Sequence, residues 1–183
     1  MKLKDKKILM FVAAEYEDLE LQYPKYRMLE EGGKVVIAGI KGKEVYSGKN
    51  GYPCKSDISF EEVNVDEFDA LIIPGGYAPD KLRRIPKALE ITRQFHEEEK
   101  LIAFICHAGW IPISAKIIKG IKCTSYMSIK DDMVNAGANW VDEAVVIDRH
   151  FISSRSPDDL PQFCPAIIKY LTEKSRQLQK SGR

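Results

Sequence analysis

The sequence predicts an α/β fold, a mostly parallel β-sheet covered by helices on both faces. Two observations carry that prediction. Short, almost wholly apolar runs recur at 7–13, 35–39, 69–73 and 101–105. Amphipathic stretches of helical length alternate with them. A strand buried on both faces reads as a continuous apolar run, because neither face meets water, and helices between such strands supply the cover.

The elements follow in chain order. Residues 7–13 form the first strand, and 18–31 a helix that Gly32-Gly33 stops. Pro24 lies inside that helix, which predicts a kink or a late start. Residues 35–39 are the second strand. Residues 41–60 are rich in Gly, Lys and Ser with short β-like pieces, which predicts a small hairpin excursion. The strand 69–73 ends in Pro74-Gly75-Gly76, and 86–99 is helical. The strand 101–105 runs straight into Cys106, with a helix over 108–118. A short strand near 123–124, a helix over 128–136, strands at 144–147 and 151–153, and a closing helix over 157–178 complete the reading. No linker or repeat divides the 183 residues, so one domain is expected, with a frayed basic tail over 174–183.

Composition narrows the function. Hydrophobic residues make up 44% and charged residues 30%, enough to build a core without disulfide staples. A net charge of +1 provides no field to steer nucleic acid or an anionic membrane. The apolar run after the basic N-terminus is too short for a signal peptide, and no run reaches the roughly 18–20 residues of a membrane span. A cytoplasmic protein is expected. Cys54, Cys106, Cys123 and Cys164 contain no C-x-x-C pair, and His96, His107 and His150 no H-x-x-x-H spacing. Neither a zinc site nor a disulfide framework is expected. No glycine-rich nucleotide fingerprint is present, so no cofactor is expected.

In a parallel sheet the ligand crevice lies beyond the carboxyl ends of the strands. Those ends carry Glu15-Tyr16-Glu17, Pro74-Gly75-Gly76 and Cys106-His107. Cys106 sits on a strand-to-helix turn, where a thiol projects from a strained elbow near a helix N-terminus and its pKa falls. The bland alternative is a buried structural cysteine. His107 is either a general base or a space-filling neighbour. Glu17 either shares a proton with the thiol or simply favours a helix start, as Asp18 and Glu20 do. Gly75 and Gly76 either aim N–H groups at an oxyanion or only make a turn. Trp110 is close enough to the elbow to line a pocket. Asp131-Asp132 reads as a solvated helix face, Cys54 as exposed and Cys164 as packing.

Several motifs together are recognisable. Pro74-Gly75-Gly76-Tyr77-Ala78-Pro79-Asp80, Ala103-Phe104-Ile105-Cys106-His107, Thr124-Ser125-Tyr126, the run from Ile129 to Gly137 and Ser153-Ser154-Arg155 resemble the PfpI family. This family is a branch of the class I glutamine amidotransferase-like superfamily. The resemblance spans nearly the whole chain. It implies a flavodoxin-like three-layer sandwich, without a cofactor, that self-associates into dimers or a hexameric trimer of dimers. It implies Cys106 as nucleophile, His107 as its neighbour and Glu17 as the carboxylate beside the thiol. Backbone N–H groups near Gly76 and His107 would form the oxyanion hole. Asp80 of an adjacent subunit would orient His107, in a position where the family peptidase has Glu. Ala108 and Trp110 depart from the Gly-Pro of many relatives and would narrow the pocket. The activity implied is an intracellular cysteine peptidase, or a glyoxalase or deglycase acting on methylglyoxal and its adducts. Its substrate would be a peptide or a small carbonyl compound. The alternative is a non-enzymatic oxidative-stress sensor or chaperone in which oxidised Cys106 is held by Glu17.

Overall fold

The computed structural model describes residues 1–181, with side chains described through Lys174. A seven-stranded sheet forms the centre, in the order β10-β11-β7-β6-β1-β2-β5. Its members are β1 (Lys7–Phe11), β2 (Lys34–Gly39), β5 (Ile58–Ser59), β6 (Ala70–Ile73), β7 (Leu101–Ile105), β10 (Val145–Asp148) and β11 (Phe151–Ser154). All neighbours pair in parallel except β10, which runs antiparallel to β11 along one edge. The strands β6 and β7 and most of β1 are fully buried, as their unbroken apolar sequences require.

Helix α1 (Asp18–Glu30) connects β1 to β2 on one side of β1, and α3 (Pro86–Glu97) connects β6 to β7 in the opposite direction. Right-handed crossovers running in opposite directions place their helices on opposite faces. Accordingly α1 packs with α6 (Leu160–Ser181), and α3 packs with α4 (Trp110–Ser114). This is the expected three-layer sandwich. The order reverses at β1, which pairs with β2 on one side and β6 on the other, so a crevice opens beyond the carboxyl ends of β1 and β6.

Differences from the sequence reading have local causes. Pro24 is buried within α1 without delaying its start, because the helix begins six residues earlier at Asp18. The expected hairpin is β3 (Val45–Ser47) against β4 (Pro53–Lys55), and it buries Cys54 rather than exposing it. A short helix, α2 (Ala78–Leu82), follows the Gly pair and was not foreseen. The helix expected over 108–118 is instead a 3-10 turn, Cys106–Gly109, and then only α4, after which Lys116 takes a positive φ of 61°. The strand near Cys123, β8 (Lys122–Cys123), leaves the main sheet to pair with β9 (Asn139–Trp140). A 3-10 turn, Met127–Ile129, and α5 (Lys130–Asn135) together fill the stretch read as one helix. The closing helix α6 continues to Ser181, beyond the expected 178. Residues 182–183 and the side chains after Lys174 lie outside the described residues, and with them the expected fraying of the tail. No helix among the described residues is long and apolar enough to cross a membrane.

Candidate active site

Three strand ends build the site. Cys106 ends β7 with φ of +62°, a conformation that L-residues rarely adopt, so the turn is the strained elbow the sequence suggested. Its side chain is 7% exposed, at the floor of a cavity of about 430 Å³. Glu17, Glu20, Lys49, Gly76, His107 and Ser128 line that cavity with the thiol. A larger hollow of about 720 Å³ opens between α3, α6 and the β10–β11 turn. His96 and His150 border it, and it holds none of the groups at the strand ends. Chemistry therefore favours the smaller cavity.

The thiol is closely surrounded. His107 Nδ1 lies 3.2 Å from Cys106 Sγ. The backbone N–H groups of Gly76 and His107 approach the sulfur and favour its charged form. The carboxyl of Glu20 lies beside it, close enough to raise the thiol's pKa. Glu20 Oε2 accepts from Gly75 N–H at 2.8 Å, while Oε1 is buried without a partner in the protein.

Two glycines make this convergence possible. A β-carbon at Gly75 would sit 2.4 Å from Glu20 Oε2 and 2.7 Å from Cys106 Cβ. Gly76 has φ of +76°, and a β-carbon there would sit 2.4 Å from the Glu17 nitrogen. Only glycine lets the loop after β6 approach both α1 and the elbow.

The carboxylate beside the thiol is thus Glu20, and this corrects the role expected of Glu17. Glu17 does line the cavity, but its Oε2 pairs with Lys49 Nζ at 2.7 Å. Lys49 is brought there by the loop between β3 and β4. Asp18 secures that loop by accepting from Asn50 N–H and Tyr52 N–H, both at 2.9 Å. Asp18 and Glu20 are therefore more than helix-start acids.

Burial sets the proton equilibria. It pushes the Glu20 carboxyl up to about 8, so at neutral pH this acid mostly keeps its proton. Burial, followed by the nearby Glu20, pushes the Cys106 thiol up to about 12. The expectation of a lowered thiol pKa fails for that reason. The elbow opens into a four-residue 3-10 turn rather than a long helix, and its N–H donors only partly offset the desolvation. Burial, then the Lys49 charge, lowers His107 below an ordinary imidazole.

The remaining expected residues lie around this centre. Ala108 is fully buried behind the elbow. Trp110 presents its ring edge to His107 at 5.2 Å and donates its indole N–H to Asp132 Oδ2 at 2.8 Å. It braces the histidine from outside the cavity lining, and Asp132 is its anchor rather than a simply solvated group. Gly75 N–H is committed to Glu20, which leaves Gly76 and His107 as the donors at the sulfur. Asp80 sits on α2 with its side chain 59% exposed, paired to Arg84, and is not among the groups lining the cavity. The sequence reading missed Lys49 and Ser128 altogether. Only the contact across the β3–β4 loop and the turn before α5 brings them in.

The profile of the DJ-1/PfpI family matches residues 6–170. The chain belongs to the DJ-1/PfpI family. It is 50% identical over 165 residues to Deglycase PfpI of Pyrococcus furiosus, covering 90% of this chain and 99% of that one. It is 40% identical over 159 residues to the Putative cysteine protease YraA of Bacillus subtilis, covering 86% of this chain and 94% of that one. Among solved structures, Drosophila melanogaster DJ-1beta superposes with a TM-score of 0.86 at 28% identity, covering 96% of each chain. The likeness to DJ-1/PfpI structures therefore includes the sheet whose strand ends carry the thiol.

Proposed function

We propose that this chain is a cysteine-dependent hydrolase of the PfpI type, with Cys106 as nucleophile and a deglycase activity on methylglyoxal adducts. One observation carries the reading: a thiol on a strained elbow faces an imidazole nitrogen, two N–H donors and a protonated carboxyl inside one small cavity. The names of the deglycase and protease relatives support the same class.

On this reading each group has a task. The thiol rests protonated, so attack begins when His107 Nδ1 takes its proton. The sulfur then bonds to the carbinol carbon of the adduct as the amine leaves it, giving a hemithioacetal; a proton shift between its two carbons makes a lactoyl thioester, and water cleaves that to lactate and the free thiol. Gly76 and His107 N–H groups, already aimed at the sulfur, are placed to hold the alkoxide that forms one bond away. Glu20, protonated in its buried setting, can deliver a proton to a departing group. The cavity of about 430 Å³ suits a small carbonyl unit on a side chain better than an extended peptide.

The test is release of lactate from methylglyoxal-treated peptide, measured beside cleavage of unfolded protein. Lactate release lost on Cys106→Ser, with little cleavage, is the expected result. Cleavage without lactate release would make the chain a peptidase instead. One observation favours a second reading as redox sensor: the Glu20 carboxyl, one of whose oxygens has no partner in the protein, adjoins the thiol in the place earlier expected of Glu17. Peroxide oxidation confined to Cys106, without turnover of either substrate, would mark that outcome.

Self-association belongs to the same proposal. Leu19, Tyr23 and Tyr26 form an exposed apolar stripe on α1, and Asp80, exposed and outside the cavity lining, would meet His107 from a second subunit. Sedimentation at micromolar concentration is expected to show at least a dimer. A monomer there, fully active, would exclude Asp80 from the chemistry.

A further inference from the structure

We infer that Ser128 is a residue of the same chain that positions His107, through its hydroxyl at the ring's Nε2. The inference rests on Cys106 and His107 being the reacting pair of the proposed function, and it names what orients that pair.

The His107 ring is held on every side. Nδ1 faces Cys106 Sγ at 3.2 Å, and Nε2 faces Ser128 Oγ at 3.0 Å. Tyr126 stacks on the ring at 5.1 Å and 26°, and Trp110 meets it edge-on. Among the described residues, the group at Nε2 is a hydroxyl and not an acid. The turn that carries Ser128 is tied to the nucleophile itself, since Tyr126 N–H donates to the Cys106 carbonyl at 3.2 Å. Ile129, buried next to Ser128, fixes the other end of the turn. Elbow, ring and hydroxyl therefore move as one unit.

The chemistry of the arrangement is specific. To accept the thiol proton, Nδ1 must be bare, so the ring proton must sit on Nε2. Ser128 Oγ accepts a hydrogen bond from that proton. When the S–H bond breaks, its electron pair stays on sulfur and the proton forms a new N–H bond at Nδ1. The imidazolium then donates to the thiolate from Nδ1 and to Ser128 from Nε2. The second bond becomes charge-assisted and strengthens as the proton arrives. A neutral hydroxyl brings no charge of its own, so it orients the ring without adding to the imidazolium's stability at rest. Burial and the Lys49 charge disfavour the imidazolium.

The test compares Ser128→Ala and Ser128→Thr with the parent protein. Three measurements are made: kcat and KM for the adduct, alkylation of Cys106 by iodoacetamide across pH without substrate, and ¹⁵N resonances of the His107 ring. Ser128→Ala is expected to lower kcat and the alkylation rate about tenfold with KM nearly unchanged. Its ring should show mixed tautomers, whereas the parent carries its proton on Nε2. Ser128→Thr, which keeps the hydroxyl, should restore both. An unchanged kcat and alkylation profile in Ser128→Ala, or a parent ring protonated on Nδ1, would overturn the inference. A structural effect alone would not give rescue by Thr together with the tautomer change. The two readings fail separately. Turnover surviving Cys106→Ser would sink the proposed function while the ring tautomer still reports on Ser128. A dead Cys106→Ser with an indifferent Ser128→Ala would sink only the role of Ser128.

Discussion

Cys106→Ser is expected to cut turnover of the methylglyoxal adduct at least about a thousandfold while leaving the fold intact. The hydroxyl is a far weaker nucleophile at neutral pH than a thiol whose proton can pass to an imidazole. The His107 nitrogen that serves sulfur at 3.2 Å would also have a harder proton to remove. The strain of the elbow belongs to the backbone, at φ of +62°, and serine inherits it unchanged. Oxygen is close to sulfur in size, and the two N–H donors and Glu20 remain as partners. The unfolding midpoint should therefore move by no more than about 1 kcal/mol equivalent. Steady-state lactate release and a thermal melt check both halves. Full turnover in a folded Cys106→Ser protein would remove Cys106 from the mechanism.

Glu20→Gln is expected to have the largest effect on stability, and the effect should depend on pH. The carboxyl is fully buried, and burial raises its pKa from that of an ordinary carboxyl to about 8. The folded protein thus keeps a proton that the unfolded chain releases near pH 4.5. A raised pKa gives stability that is full below the unfolded value and is lost as pH rises through the folded one. Between about pH 4.5 and 8 the parent protein should lose on the order of 4 kcal/mol that Glu20→Gln, which cannot ionise, retains. The amide oxygen can still accept from Gly75 N–H, so the loop after β6 keeps its anchor. Removing the carboxylate also removes a charge that raises the thiol, so Cys106 alkylation should shift to lower pH. Denaturant midpoints of both proteins from pH 5 to 8 test the first effect. Parallel curves would show that Glu20 is not protonated in the native state.

Much of the fold was legible because it depends on local pattern. Continuous apolar runs at β1, β6 and β7 leave no solvent-facing side, and this forces a doubly covered parallel sheet. The elbow was legible for a related reason, since a cysteine at the end of a buried strand has no strand left to continue. The short elements were harder to read. The two-residue strands β5 and β8 exist only through their partners, and α2 forms because the Gly75-Gly76 loop redirects the chain.

Glu20 shows where sequence reasoning stopped short. It lies on the stripe of α1 with Leu21, Pro24 and Met28, all buried at helical spacing. An acid on that stripe was a readable sign of a buried carboxyl. The adjacent Glu17 at the strand end drew the assignment instead, because sequence distance from a strand does not reveal which turn of the helix faces the thiol.

By itself, the sequence determined the layered α/β architecture, the family and the cysteine on its turn. Each follows from patterns of neighbouring residues that need no knowledge of distant ones. Only the tertiary structure decided that Glu20 rather than Glu17 adjoins the thiol, and that Lys49 pairs with Glu17. It likewise decided that Ser128 Oγ meets His107 Nε2 and that burial raises the thiol's pKa. Those outcomes depend on how far each group is withdrawn from water and on contacts between segments tens of residues apart, and side-chain order along the chain encodes neither.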